Sequence, residues 1–150
     1  MVKLRFVRKS AAVLAVFLTA GAAMAAKPMM YECSITEKHR KLDWISDTMA
    51  IVIGKDGKVS VVDNVTLQLT GGPVVARVLR NTAEKMKVRW VIKGALDSEN
   101  LPVDFNYDAM LNKATNAIAV YAKPIGYPNR FIGKGTCKVR TDGTLPRILR

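Results

Sequence analysis

The sequence contains few of the residues on which enzyme and metal chemistry most often depends. Among its 150 residues there is one histidine, His39, and there are two cysteines. Common catalytic signatures such as G-x-S-x-G and H-E-x-x-H do not occur. Three carboxylates, Glu37, Asp43 and Asp47, lie close together in the sequence, but nothing distinguishes them from ordinary surface charges. We therefore expect a protein that is not an enzyme, with no catalytic residue, metal site or cofactor.

The stretch Gly133-Lys134-Gly135-Thr136 is similar to the end of a phosphate-binding loop, but the rest of that motif is missing. The pattern G-x-x-x-x-G-K-[ST] requires a glycine five positions before Gly133, where this chain has Pro128. It also requires a hydroxyl directly after the lysine, where this chain has glycine. A phosphate loop leads into a helix, whereas the residues that follow here have a strand-like pattern. The two glycines are therefore predicted to be strand positions where the sheet bends or another backbone comes close.

The first 26 residues have the pattern of a secretory signal peptide. A basic start precedes a nearly uninterrupted apolar run over residues 11–26, and Ala23 and Ala25 frame a small-residue cleavage site. The alternative, a membrane anchor, needs about 20 apolar residues, and these are usually larger than alanine. We predict that residues 1–25 are cleaved, that the chain is exported to the periplasm, and that no transmembrane segment remains after cleavage.

Acidic residues are half as numerous as basic ones. The chain has 24 Lys and Arg against 12 Asp and Glu, which gives a formal net charge of +12. Four cations lie in the predicted signal peptide, so the mature chain keeps a charge of +8. A basic protein attracts anionic partners, and for an exported protein we expect anionic lipid, polysaccharide or acidic protein. Nucleic acid is not expected, because no aromatic RNA-binding motif or zinc-finger spacing accompanies the charge.

The two cysteines, Cys33 and Cys137, lie near opposite ends of the predicted mature chain. An even number of cysteines in an oxidising compartment indicates a disulfide. In the chain-entropy model, a bridge that closes a loop of about 100 residues stabilises the fold by about 4.7 kcal/mol. The alternative is a reactive thiol with His39 as its base, which requires a free cysteine.

Most of the remaining chain alternates between apolar and polar residues, a pattern typical of half-buried strands. Residues 85–93 and 103–111 alternate most clearly, and in residues 49–63 two β-branched runs flank a Gly-Lys-Asp-Gly turn. One register of the first two strands pairs Lys87 with Asp108 and Trp90 with Phe105, which places both apolar sets on one face. Further strands are predicted at residues 29–37, 59–62, 65–70, 73–80, 117–123 and 131–140.

Several short strands joined by tight turns predict an antiparallel all-β fold. We expect one domain over residues 26–140, either a single up-and-down β-barrel of about eight strands or a β-sandwich, closed by one disulfide. A basic tail follows at residues 141–150. Residues 107–122 also fit helical spacing, so a short helix there is an alternative.

A basic patch is the first candidate binding site. Its cations project from one side of residues 85–93 and from the strand before it, and a turn at residues 81–84 brings Arg77 close to Lys87. Like charges directly across a sheet are destabilising, so an anionic partner would compensate for them. Alternatively, Asp104 and Asp108 neutralise the patch from the next strand. The predicted members are Arg77, Lys85, Lys87, Arg89 and Lys93.

The second candidate is the loop at residues 123–130, with the sequence KPIGYPNR. It presents Tyr127, Asn129 and Arg130 between and beside two rigid prolines. The alternative interpretation is a plain turn with no binding role.

Tyr31 and Cys33 in the segment MYECS, Cys137 in the segment GKGTCKV, and the all-β pattern between them resemble the C-type lysozyme inhibitors of Gram-negative bacteria. The resemblance implies a disulfide-closed, eight-stranded periplasmic barrel that blocks a lysozyme cleft with a loop. The Ser-Gly pair of the family's inhibitory loop has no counterpart in this chain. The resemblance therefore implies an architecture and assigns no inhibitory residue, and the positive charge opposes docking on a basic lysozyme.

Together these features predict a periplasmic binding or envelope-accessory protein that engages an anionic partner through its basic face. Two alternatives stay open. One is a lysozyme-inhibitor-type protein, and the other is a lipocalin-like carrier with room for about one small apolar molecule inside an eight-stranded barrel.

Overall fold

The computed structural model describes residues 29–39 and 44–142. Their eight strands form a closed barrel in which each strand pairs with its neighbours in chain order and β8 returns to pair with β1. All pairings are antiparallel, so the predicted up-and-down barrel is confirmed and the sandwich alternative is wrong. The elements are β1 Met29–His39, β2 Thr48–Ile53, β3 Val59–Asp63, α1 Asn64–Thr70, β4 Val74–Asn81, β5 Lys85–Leu96, β6 Pro102–Asn112, β7 Ala117–Pro124 and β8 Phe131–Arg140.

Three sequence predictions concern residues outside these ranges. The predicted signal peptide at residues 1–25, most of the tail at residues 141–150, and Asp43 all lie outside the described part of the chain.

Alternation along the strands separates an apolar interior from a polar exterior. In β5, the buried positions include Met86, Val88, Trp90 and Ile92, and the positions between them face outward. Inside the barrel, Trp90 stacks on Tyr107 with ring centroids 5.1 Å apart. The predicted strands at residues 85–93 and 103–111 are therefore confirmed, and packed side chains occupy the barrel at this height.

The up-and-down order gives the barrel two different ends. Short turns after β2, β4 and β6 form what we call the lower end. The upper end carries the other connections: residues 44–47, α1, residues 97–101 and residues 125–130. No helix within residues 29–39 and 44–142 is long and apolar enough to cross a bilayer.

Pairing between β1 and β8 closes the barrel, and the predicted disulfide lies within this seam. Cys33 is directly opposite Cys137, and their sulfur atoms are bonded. Two positions further along β1, Ile35 lies opposite Gly135. A Cβ atom on Gly135 would overlap the backbone carbonyl of Ser34, and one on Gly133 would lie 2.7 Å from the Ile35 Cγ2 atom. Both glycines are therefore strand residues, as predicted. The close backbone approach is at Gly135, whereas Gly133 lies against the Ile35 and Ile45 side chains.

The prediction of a strand at residues 65–70 is wrong, because this segment is the helix α1. Asp63 accepts a hydrogen bond from the Thr66 backbone N–H at 2.7 Å, and the Thr66 hydroxyl accepts one from the Asp63 N–H at 2.9 Å. This reciprocal pair is a capping box, which favours a helix start. Gly71 ends the helix with φ of 75°. Local capping thus outweighs an alternating pattern that fits a strand.

The predicted register between β5 and β6 is wrong by two residues. Asp108 lies opposite Arg89 rather than Lys87, and Trp90 lies opposite Tyr107 rather than Phe105. An irregularity between Ile92 and Ala95 adds one residue to β5 near the upper end, which the sequence pattern did not reveal. A shift of two keeps every side chain on its predicted face. The helical alternative for residues 107–122 is also wrong, since this stretch holds the end of β6, a turn and most of β7.

We expect Gly135→Ala to destabilise the barrel, because the new methyl group meets rigid backbone in the seam. Overpacking of this kind costs about 1–3 kcal/mol or more. Gly72→Ala is the matched control, since no atom lies within 4 Å of its added Cβ and its φ is not positive. Urea unfolding followed by circular dichroism measures both. Equal unfolding free energies for the two variants would contradict the close approach.

Asp63 is expected to make stability depend on pH. The carboxyl is buried, and desolvation raises its pKa above the ordinary 3.8 despite the hydrogen bonds from Thr66. Between 3.8 and the raised value, the folded state binds more protons than the unfolded state, so the unfolding free energy falls as pH rises.

Asp63→Asn should remove this pH dependence of the unfolding free energy while keeping an oxygen that caps α1. Asp63→Ala loses the cap, so its unfolding free energy should be lower by about 0.5–2 kcal/mol at all pH values. Urea unfolding of the three proteins across this pH interval tests the expectation. Parallel pH profiles for the wild type and Asp63→Asn would contradict it.

Candidate functional site

The outer wall formed by β5, β6, β7 and β8 carries two adjoining surface cavities. The larger, of about 580 Å³, lies toward the lower end, and the smaller, of about 400 Å³, lies beside it. Lys87 and Met110 line both. We call the cations that line these cavities the basic face: Arg80, Lys85, Lys87, Arg89, Lys123, Arg130 and Lys134.

The predicted basic patch coincides with part of this face. Lys85, Lys87 and Arg89 project outward from β5 and line the cavities. Lys93 is exposed on the same strand but lines neither cavity. Arg77 lies opposite Arg89 and also lines neither.

The predicted proximity of Arg77 to Lys87 is wrong. A register shift between Val78 and Arg80 places Arg80 opposite Lys87 instead. The cation from β4 that joins the basic face is therefore Arg80.

One predicted neutralising contact is present on this face. The Arg89 guanidinium donates two hydrogen bonds to the Asp108 carboxylate, from Nε at 2.8 Å and from Nη2 at 2.9 Å. These bonds raise the pKa of Arg89 above its ordinary value. Asp104, the other predicted neutralising group, instead accepts a hydrogen bond from the Gly94 backbone N–H at 2.9 Å. Asp108 therefore compensates for one cation of the face, and Asp104 has a structural role.

A cross-strand row defines the centre of the larger cavity. Lys87 pairs with Met110, Met110 with Ala119, and Ala119 with Lys134, so a lysine lies at each end of two apolar residues. Met110 is 46% exposed. Ala117, one pair further down β7, is small like Ala119. Small side chains between long cationic ones give the larger cavity an apolar floor. We call this cavity the trough.

Sequence reasoning missed Lys123 and Lys134 as members of this face. Lys134 was considered only as part of a phosphate loop, and Lys123 only as the start of the loop at residues 123–130. Their position depends on which strands are neighbours in the closed barrel. The available signal was the alternation of β7 and β8, which places both side chains on the outside.

The predicted binding loop divides between two places. Arg130 joins the basic face, where its guanidinium carbon lies 5.3 Å from the centroid of the Tyr121 ring. Tyr127 and Asn129 line a third cavity, of about 580 Å³, at the upper end of the barrel. We call this cavity the mouth.

Aromatic rings and carboxylates surround the mouth. Trp44 stacks on Phe105 with centroids 4.3 Å apart, and the Phe131 ring lies 6.4 Å from that of Phe105. The Tyr127 hydroxyl donates a hydrogen bond to Asp97 Oδ2 at 3.2 Å. The aromatic and acidic residues lining the mouth are Trp44, Phe105, Tyr127, Phe131, Asp97 and Glu99.

The described residues offer no conventional metal or thiol site. Within residues 29–39 and 44–142, no three His, Cys, Asp or Glu side chains come together as a metal site would require. Cys33 is bonded to Cys137, so the alternative of a Cys33 thiol activated by His39 is wrong.

Comparison of the chain with family models, with curated proteins and with solved structures finds no match. The resemblance to lysozyme inhibitors therefore stays a prediction from the sequence, and any functional proposal has to come from the surfaces described above.

Proposed function

We propose that this protein is an exported, non-enzymatic binding protein whose basic face holds an anionic lipid. The observation that carries the proposal is the cross-strand row in which Met110 and Ala119 lie between Lys87 and Lys134. Such a row offers charge for an anionic headgroup and an apolar floor for the start of an acyl chain.

The charge of the face is largely uncompensated. Among the described residues, Arg89 is the one cation of the basic face with an ion-pair partner within 4 Å. Glu37 lines the trough and lies opposite Lys134 across the seam, but the trough still has four cations to one acid. Concentrated like charge on a sheet is unfavourable without a counter-charge. An anionic ligand would provide one.

The apolar floor favours lipid over the other anionic partners expected from the sequence. Polysaccharide chains and acidic proteins present mainly polar or charged surface to a basic patch. They would leave the exposed Met110 and its alanine neighbours without an apolar partner. A lipid can satisfy both parts of the trough, because burial of each CH₂ group contributes about 0.8 kcal/mol.

Export is supported by two independent features. The Cys33–Cys137 disulfide is typical of oxidising compartments, and the N-terminal pattern predicts a cleaved signal peptide. A periplasmic location would place the basic face next to the anionic lipids of the cell envelope.

The two alternatives from the sequence stay predictions. A lysozyme-inhibition assay tests the inhibitor hypothesis directly. For the lipocalin-like carrier, the stacked Trp90 and Tyr107 side chains occupy part of the interior in which a ligand would have to lie.

We expect the protein to bind vesicles containing phosphatidylglycerol and to bind pure phosphatidylcholine vesicles at least about tenfold more weakly. Each lysine near an anionic surface contributes about 1 kcal/mol, so Lys87→Glu/Lys134→Glu should lower the affinity for phosphatidylglycerol by at least about tenfold. Co-sedimentation at several salt concentrations measures the affinity. Raising the ionic strength should weaken binding.

The matched control is Lys55→Glu/Lys93→Glu, which makes the same change in net charge outside both cavities of the basic face. It should reduce binding much less. An equal loss in both double variants would show that total charge, not the trough, drives binding. Binding of dextran sulfate without binding of phosphatidylglycerol vesicles would contradict a lipid ligand while retaining an anion-binding face.

A further inference from the structure

We propose that the mouth binds a small soluble organic cation, with a quaternary ammonium group as the best-matched chemistry. This site lies at the upper end of the barrel, apart from the basic face on its wall, and the proposal does not depend on lipid binding. It is carried by aromatic rings and carboxylates that line one cavity.

Aromatic faces provide the first requirement of an organic-cation site. The cavity is lined by the rings of Trp44, Phe105, Tyr127 and Phe131. Trp44 stacks on Phe105, and Phe105 and Phe131 are each 3% exposed, so Trp44 and the 42% exposed Tyr127 offer the accessible ring surface. Cations are attracted to the faces of such rings, most strongly to tryptophan, and the attraction increases when the cation is desolvated. Quaternary ammonium groups suit these sites because they have no hydrogen-bond donors that need partners.

Two carboxylates provide the second requirement. Asp97 and Glu99 line the mouth, and no lysine or arginine of the described chain lines it with them. Hydrogen bonds from the Leu101 and Glu99 backbone N–H groups and from the Tyr127 hydroxyl lower the pKa of Asp97. Asp97 is therefore ionised at neutral pH, and the charged side chains among the described residues lining the mouth are acidic, in a chain with a net charge of +12.

The walls of the mouth are held by contacts that need no ligand. The Tyr107 hydroxyl donates a hydrogen bond to the Trp44 backbone carbonyl at 2.9 Å, which fixes the connection that carries Trp44. Asp97 joins two loops, because it accepts hydrogen bonds from its own turn and from Tyr127 in the loop after β7. Preorganised walls reduce the entropy cost of binding. The cavity of about 580 Å³ lies within the range of small-molecule sites.

A charged ligand and its neutral isostere provide the central test. Choline and 3,3-dimethylbutan-1-ol have nearly the same shape but differ in charge. We expect choline to bind about tenfold more tightly, as cation–π and carboxylate attraction together imply. Calorimetric titration of the full mature protein gives both affinities, and quenching of Trp44 fluorescence locates the ligand. Equal affinity for the two compounds, or no binding of either at millimolar concentration, would overturn the proposal.

Variants separate the contributions of charge and ring. Asp97→Asn/Glu99→Gln removes two charges but keeps oxygen acceptors for the turn, and it should lower the preference for choline over the alcohol to the part that the rings contribute. Tyr127→Leu should weaken choline binding several-fold, while Tyr127→Phe, which keeps the ring, should retain most of it. Unchanged selectivity in the double variant would overturn the role of the carboxylates. Circular dichroism and thermal unfolding check that each variant is folded.

A final arm distinguishes a soluble ligand from a lipid headgroup of the same chemistry. Phosphatidylcholine vesicles carry the trimethylammonium group next to a phosphate, which Asp97 and Glu99 would repel. We expect free choline to bind without competition from these vesicles. Two results together would overturn a soluble ligand. The wild type would bind the vesicles while the Asp97→Asn/Glu99→Gln variant did not, and free choline would not bind to the wild type.

Discussion

Closure of the barrel through the β1–β8 pairing is the constraint on which the other features depend. The seam joins the two ends of the described chain, so it has the greatest loop-closure entropy to overcome. Two features make it specific: the covalent link between Cys33 and Cys137, and a backbone approach at Gly135 that admits no side chain. If the seam opened, β8 would lose its pairing with β1 but would stay paired with β7. The trough would then lose Thr36 and Glu37, which line it from β1.

Alternation along the strands allows one backbone to serve two unrelated chemistries. Inward positions pack rings and aliphatic side chains, while outward positions on the same strands are free to vary in charge without disturbing that packing. β6 shows this division, since Tyr107 and Leu111 are buried while Asp108 and Met110 point outward and line the smaller cavity of the basic face. The mouth differs, because it is built from inward-facing rings at the point where the strands end and loops take over. The wall therefore presents charge, whereas the end of the barrel presents aromatic faces.

The sequence was most informative where structure is decided locally. Periodicity identified β5 and β6, and the cysteine count identified the bridge. Errors arose where tertiary pairing or capping decides. The helix α1 was missed because its residues alternate as a strand would and the cap at Asp63 was not considered. The β5–β6 register was missed because a shift of two residues keeps every side chain on the same face, so alternation cannot distinguish the two registers. Three of the seven cations of the basic face were predicted as a patch, since Lys85, Lys87 and Arg89 lie on one alternating strand. Lys134 was missed, because its closeness to Lys87 exists only after four strands are placed side by side.

The basic face lies on the wall of the barrel, whereas the mouth lies at its upper end. A barrel held to an anionic membrane by its wall would lie on its side, with the strands' common axis running along the membrane plane. The mouth would then open laterally, into the thin aqueous layer beside the membrane. Its acidic rim would meet the layer in which the membrane's own counter-cations accumulate, so the two sites would sample different ionic environments on the same molecule.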